Sequence, residues 1–450
     1  MKKLLLLSIF LAANGAIYSQ WTQQATGFTA ASTGVDEIDI VDANTVWAKA
    51  YDGSAGGDNF QLFTRTTNGG TTWTPGAIDV GNPLLKLTNI TAVSATTAWV
   101  GAFDDVDGFG GVWKTSDGGT TWVQQNAAAY TTAGFSWFNM VHFFNANNGI
   151  TMGDPVGTEF EVYRTTDGGA TWAAPAAASI PNPAGGEYGY NGGVVTAGNT
   201  LWFTTNKGKL YRTTDMGVTW TKLNGPTGLN DFGSAAINGK PYFSDNNNGI
   251  IIGTLDSGAT YKLWKTSNGG TTWDAGAAYT AQYKTVAYIP GTTILVGTGS
   301  TGTGPTTVQY SGTSNNNGTT WTQVDTGTQR TSVAFLNGTT GWAGGFTTSS
   351  FVGGIYKYTG ASLGVEDFNN TSEFAVYPNP TNGIVKLSSS INAVSNATVY
   401  DLLGKQVYTK AFSTLNNEVE VDLSSLNTGV YFLKATSNNG GVQTIKIAKN

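Results

Sequence analysis

The chain has 450 residues, a formal charge of −6, glycine at 61 positions and no cysteine. Charged residues make up only 12% of it, the same share as Trp, Tyr and Phe together; that balance suits many short strands and tight turns and excludes an architecture of long helices. Without cysteine there are no disulfides, so packing and sheet closure must hold the fold. The acidic balance argues against nucleic acid or anionic lipid as partners.

The chain begins "MKKLLLLSIFLAANGAIYSQ", with Lys2 and Lys3, an apolar run from Leu4 to Ala13, and the small residues Ala16 and Ser19. This is the three-part pattern of a secretory signal peptide, expected over residues 1–19. An apolar run of about ten residues is too short to span a bilayer, and no later stretch is apolar enough to do so. Removing the leader with its two lysines takes the formal charge to −8.

From residue 20 a repeat governs the sequence. The turn "RTTNGGTTW" at 65 returns as "KTSDGGTTW" at 114, "RTTDGGATW" at 164, "RTTDMGVTW" at 212, "KTSNGGTTW" at 265 and, degenerate, "SNNNGTTW" at 314. The closing tryptophans Trp73, Trp122, Trp172, Trp220, Trp273 and Trp321 are spaced by 49, 50, 48, 53 and 48 residues, the length of a four-stranded propeller blade. A second signal runs in phase: seven polar turns each followed by a short apolar run, from "NTVWAKA" at 44 to "TTGWAGG" at 339, which reads as a buried inner strand. Seven such runs against six turns leave one blade short, and "WTQQ" at 21 matches "WVQQ" at 122. The expectation is an all-β fold: a seven-bladed β-propeller over 20–360 whose last strand comes from the N-terminus, leaving no open edge.

The turn resembles the Asp-box, or bacterial neuraminidase repeat, with Asn68, Asp117, Asp167, Asp215, Asn268 and Asn316 at the acidic position. Asp or Asn can accept amide hydrogen bonds inside the turn while Gly supplies positive φ, and the Trp can bury against a blade. Because Asn serves as well as Asp, the repeat reads as a structural clip rather than an acid–base group. Over 21–360 the Asp-boxes resemble those of sialidases, xyloglucan-active hydrolases and sortilin-type receptors; the in-phase runs resemble the photosystem II assembly-factor family of propellers. These likenesses imply a fold more than an activity.

After a polar linker at 361–372 the texture changes to alternating strands with Pro-Asn and Asn-Gly turns, expected to form a small antiparallel β-sandwich over 373–450. "YPNPTNG" at 377, "VYDLLGKQV" at 399, "LNTGVYFLKA" at 426 and "KIAKN" at the end resemble the type A C-terminal sorting domain of the type IX secretion system. That resemblance implies export to the outer surface or the medium, with the secretion machinery and a sortase as partners.

In a propeller the Asp-box turn joins the third and fourth strands on one face, and ligands are expected on the other. Its loops contain Asp104, Asp105, Asp107, Asp154 and Glu187, with Trp137, Phe138, Tyr188 and Tyr190 nearby. Asp154 and Glu187 are the candidate catalytic pair for glycoside hydrolysis; the remaining residues could instead line a site for a glycan, peptide or protein. Xyloglucan-active enzymes generally pair two propellers, and one is present here. A sialidase is excluded by its need for three arginines on the substrate carboxylate: Arg65, Arg164 and Arg212 belong to the repeat, which leaves only Arg330. "DDVDG" at 104 carries hard oxygen ligands suited to Ca but lacks a full ligand loop, and His142 is the only histidine, so no metal or cofactor is expected. His142, in the apolar "NMVHFFN", reads as a buried neutral imidazole.

Overall fold

The computed structural model describes residues 20–54, 59–125, 130–132, 135–176, 179–301, 307–363, 374–389, 393–402, 405–438 and 442–450. The expected leader lies outside these residues, as does most of the expected linker. The chain divides into two units, Met1–Leu363 and Gly364–Asn450.

The first unit is a seven-bladed propeller. Blade 1 is formed by Thr33–Ile40, Val46–Asp52, Leu62–Thr66 and Thr74–Ala77, each antiparallel to the next. Five more blades follow in chain order; in blade 3 the fourth position shrinks to a single bridge between Arg164 and Ala173. Blade 7 takes Val333–Asn337, Thr340–Ser349 and Val352–Tyr358 from the end of the domain, and Trp21–Ala25 from its start. Trp21 pairs with Tyr358 and Ala25 with Gly354, so the N-terminal strand closes the ring. One apolar cluster lies between each pair of neighbouring blades, seven in all among the described residues. A blade lacks a core of its own, which is why the ring must close to be stable.

The apolar runs read from the sequence as inner strands are the second strands of their blades. Trp47, Trp99, Trp202 and Trp342 are wholly buried there, because the second strand is packed by blades on both sides. The innermost position belongs to the preceding strand of each blade, Thr33–Ile40 in blade 1. These strands edge a lumen and tolerate polar residues, which hides them from a search for apolar runs.

The six Asp-box turns close in the same way. In blade 2 the Thr121 amide donates to Asp117 Oδ1 at 3.0 Å, while Thr115 Oγ1 donates to the same oxygen at 2.9 Å and accepts the Gly119 amide at 2.8 Å. Asn68 accepts the Thr72 amide at 2.9 Å, so the amide form serves equally. Met216 occupies a position held by glycine in four of the other turns and adopts φ 56°. "TLDSGATY" at 254 builds a further copy on the opposite face, where Asp256 Oδ1 accepts the Thr260 amide at 2.8 Å. It ends in Tyr261 instead of Trp and falls out of phase with the period, so the repeat search passes over it.

In six of the seven blades the third strand carries a basic residue near its end: Arg65, Lys114, Arg164, Arg212, Lys265 and Lys357. Lys114 Nζ donates to the Gly168 carbonyl at 2.9 Å, Arg164 Nε to Met216 at 2.9 Å and Lys357 Nζ to Gly69 at 2.6 Å. Each cation thus reaches the Asp-box of the next blade, and Lys114 and Lys357 also sit over the buried Trp99 and Trp342 rings, a geometry in which the ring quadrupole attracts the charge.

The second unit is a sandwich of a three-stranded and a four-stranded antiparallel sheet. Inward side chains of both sheets, including Val385, Leu387, Val399, Val421 and Leu433, form its core. In the "YPNPTNG" turn, Asn379 Nδ2 donates to the Lys446 carbonyl at 2.7 Å and Oδ1 accepts the Ala448 amide at 2.9 Å, fastening the turn to the last strand.

Candidate functional site

The hairpins between second and third strands and the blade-to-blade connections gather on the face opposite the six Asp-boxes. Blades 2 to 4 bring most of the sequence-predicted residues to this face, in different environments.

Glu187 is turned inward. Its Oε2 accepts the Ala184 amide and Lys222 Nζ, both at 2.7 Å, and its Oε1 accepts Thr205 Oγ1 at 2.8 Å. The side chain has 0% exposure. Burial pushes its pKa upward, but the hydrogen bonds from Lys222, Ala184 and Thr205 outweigh that and hold it below the ordinary value. Both oxygens are engaged, and neither can meet a substrate proton without dismantling the turn.

Asp154 is different. Burial raises its pKa to about 6 against hydrogen bonds from Asn139 Nδ2 at 2.6 Å and the Gly189 amide at 2.9 Å. It fastens the second strand of blade 3 to the start of blade 4. A carboxyl titrating near 6 suits proton donation, but Glu187, its candidate partner, is sealed.

The acidic hairpin of blade 2 is held by its own carboxylates. Asp104 Oδ1 accepts the Val106 amide at 2.8 Å, Asp107 Oδ1 accepts the Phe109 amide at 3.3 Å, and Asp105 pairs with Lys86 at 2.5 Å. The three carboxylates have separate partners, a poor arrangement for gathering oxygens on one calcium ion. Trp137 is half-buried, with its ring against Gly108, where an added Cβ would come within 3.0 Å of it. Tyr188 is exposed; Tyr190 is half-buried and donates from its hydroxyl to Asp231 Oδ1 at 2.7 Å. Phe138 departs from the expectation. It is wholly buried in the cluster between blades 2 and 3, edge-on to Tyr130 at 4.8 Å, because a register shift between Phe138 and Met140 reverses which side chains face inward.

Arg330, the one arginine outside the repeat, is buried. It makes a two-pronged ion pair with Asp325 at 2.9 and 2.7 Å and lies between the Trp21 and Tyr356 rings at 5.1 and 5.0 Å.

The channel wall is absent from the sequence reading. The seven innermost strands enclose a lumen of about 1190 Å³. Blade 1 contributes Asp36, Glu37 and Asp39 to it, with Lys49 bonded to Asp36 at 2.8 and 2.9 Å, and blade 5 contributes Lys240. Glu37 accepts the Ile90 amide at 2.9 Å and Asp39 the Ala92 amide at 2.6 Å, joining blades 1 and 2. Burial raises Glu37 to about 8 and Asp39 to about 6. His142 also lines the channel rather than a sealed core, and burial lowers it to about 4, which leaves it neutral at pH 7. The run "VDEIDI" was the available signal, since two of its alternate positions, 37 and 39, carry carboxylates on a strand with neighbours on either side.

Residues 375–450 match the family model described as a secretion system C-terminal sorting domain. The tail is a type IX sorting domain. The sorting domain marks the chain for export by type IX secretion to the cell surface or the medium, and implies engagement of that machinery. Among the described residues no helix is long and apolar enough to cross a membrane.

A search of curated protein sequences finds no significant match. Among solved structures, YCF48 bound to D1 peptide aligns at TM-score 0.52 and 15% identity, over 76% of this chain and 98% of that one. The xyloglucanase of family GH74 from Xanthomonas campestris aligns at TM-score 0.47 and 13% identity, over 82% of this chain and 59% of that one. A Hadza microbial sialidase aligns at TM-score 0.40 and 10% identity, over 73% and 65%. At 15% identity the likeness to YCF48 speaks to the propeller fold alone.

Proposed function

We propose that the mature protein is a non-catalytic binding module, working at the cell surface or outside the cell, whose ligand meets the face opposite the Asp-boxes. On this reading residues 1–19 serve as the export leader, and a sortase acts on the sorting domain. The observation that carries it is the state of Glu187: a carboxylate with no exposed side-chain surface and with donors on both oxygens cannot exchange protons with a glycosidic oxygen. The pair that hydrolysis would need is thereby reduced to Asp154. The same face holds the exposed Tyr188 and the half-buried Trp137, side chains suited to contact with a glycan, peptide or protein. YCF48, whose structure is described with a bound peptide, is consistent with a single propeller in a binding role.

The second reading, a polysaccharide-active glycoside hydrolase, keeps one supporting observation, the raised pKa of Asp154. The test is a glycan and peptide array with the full-length chain, then a reducing-sugar assay on every glycan retained. Retention without new reducing ends is expected. New reducing ends that vanish in Asp154→Asn would replace the binding reading with hydrolysis.

A further inference from the structure

Exposed large apolar side chains are unevenly distributed over the propeller. Leu84 is 70% exposed, Val106 84%, Phe109 38% and Phe135 60%. Val106, Phe109 and Phe135 stand where blades 2 and 3 meet and Leu84 on the connection from blade 1 to blade 2, all on the face opposite the Asp-boxes. Elsewhere on the propeller such exposure is found at Tyr188, Val308, Phe351 and Val352 on the same face, and at Val123 and Val218 on the Asp-box side.

The hairpin carrying Val106 and Phe109 is built to hold them outward. Asp104 and Asp107 accept the amides of these two residues, and Asp105 is tied to Lys86, two residues beyond Leu84. Trp137 packs beneath the hairpin on Gly108 and on Phe103 at 6.4 Å. A rigid turn that keeps apolar groups in water leaves hydrophobic free energy unrealised until something covers them. The charge around the patch has one sign. Asp104, Asp105 and Asp107 lie within the hairpin and Glu159 on the hairpin of the neighbouring blade, while the adjacent cation, Lys86, is already paired.

We propose that this patch docks a cationic polypeptide segment that alternates basic and apolar side chains. The proposal rests on the binding role put forward above and names the partner class. Complementary charge favours a basic partner and repels an acidic one. Leu84 and Val106 present no flat surface on which a pyranose can stack, so the aliphatic half of the patch suits apolar side chains, and the carboxylates around it select a basic partner.

The test uses the full-length chain and three short labelled peptides, alternating Lys with Leu, Glu with Leu, and Lys with Ser, read by fluorescence anisotropy at low and moderate salt. The Lys/Leu peptide is expected to bind at least about tenfold more tightly than either control, and more weakly as salt rises. The double variant Val106→Ser, Phe109→Ser should weaken it by about tenfold or more, and Asp105→Asn, Asp107→Asn should flatten the salt dependence. Val218→Ser on the other face and Glu420→Gln in the sorting domain should change neither. Equal binding of the Glu/Leu peptide, or indifference to the double variant, overturns the proposal. If instead a glycan binds and the Val106, Phe109 variant abolishes it, the cationic partner is refuted while the binding role stands. If no peptide or glycan binds at all, both fail.

Discussion

Glu187→Gln distinguishes a structural carboxylate from a catalytic one. The change preserves size and keeps an acceptor for Thr205 or Ala184, but removes the charge opposite Lys222, whose side chain is 22% exposed. Breaking a fully buried pair by removing one partner destabilises by about 3–5 kcal/mol. Lys222 can turn part-way into water, so we expect a loss of about 2–3 kcal/mol, still a large fraction of a domain's net stability. The sign with pH follows from the lowered pKa. A carboxylate held below its ordinary value stabilises the fold above pH 4.5, and that contribution disappears as pH falls through the folded value. The wild type should therefore weaken in acid more steeply than the variant, and the two should converge there. The assay is urea unfolding followed by tryptophan fluorescence; all 14 tryptophans precede residue 343, so the signal reports the propeller and not the sorting domain. Unchanged stability at pH 7, together with loss of a hydrolytic activity, would refute the structural role.

Three other changes probe the ring. Arg330→Met should destabilise by about 3–5 kcal/mol in the same unfolding assay, because Asp325 is then left buried without its partner; Arg330→Met, Asp325→Leu should recover part of the loss. Met216→Gly should stabilise by up to about 1 kcal/mol, since φ 56° is strained for a residue with a Cβ and free for glycine; a lower denaturation midpoint would contradict the strain. Glu37, raised to about 8, favours the fold when protonated and loses that advantage as pH rises from 4.5 through 8. Glu37→Gln should then be the more stable form at pH 8 and equal to wild type near pH 4, read from midpoints at the two values.

The propeller was legible because a turn needing Gly at positive φ and a Trp to bury cannot drift, so its spacing survives as a count of blades. The closing strand was legible from the missing seventh turn together with the match of "WTQQ" at 21 to "WVQQ" at 122. The site was less so, for reasons that differ by residue. Phe138 sits next to a register shift that reverses the facing of its neighbours, and alternation read from sequence has no knowledge of a bulge. Glu187 resembles a solvated loop acid until Lys222, 35 positions later, is brought beneath it. The channel carboxylates Glu37 and Asp39 lie on a strand of mixed polarity, and only closure of the ring turns its edge into an interior wall.

The cation ladder has one gap, between blades 6 and 7. Each basic residue reaches the Asp-box of the following blade, so a cation is useful only where the next blade has such a turn. Blade 7 has none, since its fourth strand comes from the N-terminus; at the matching position of blade 6 the sequence has Thr313 instead of a basic residue. The seam is held differently. Asp325 at the end of blade 6 grips Arg330 through both guanidinium nitrogens, and Arg330 lies against Trp21, the first residue of the borrowed strand. Trp21 in turn packs edge-on to Phe335 and Tyr358 at 6.0 and 5.4 Å. A clip to a turn that closure removes is thus replaced by an ion pair under the strand that performs the closure. The arginine that the sequence left unassigned is therefore an element of the fold.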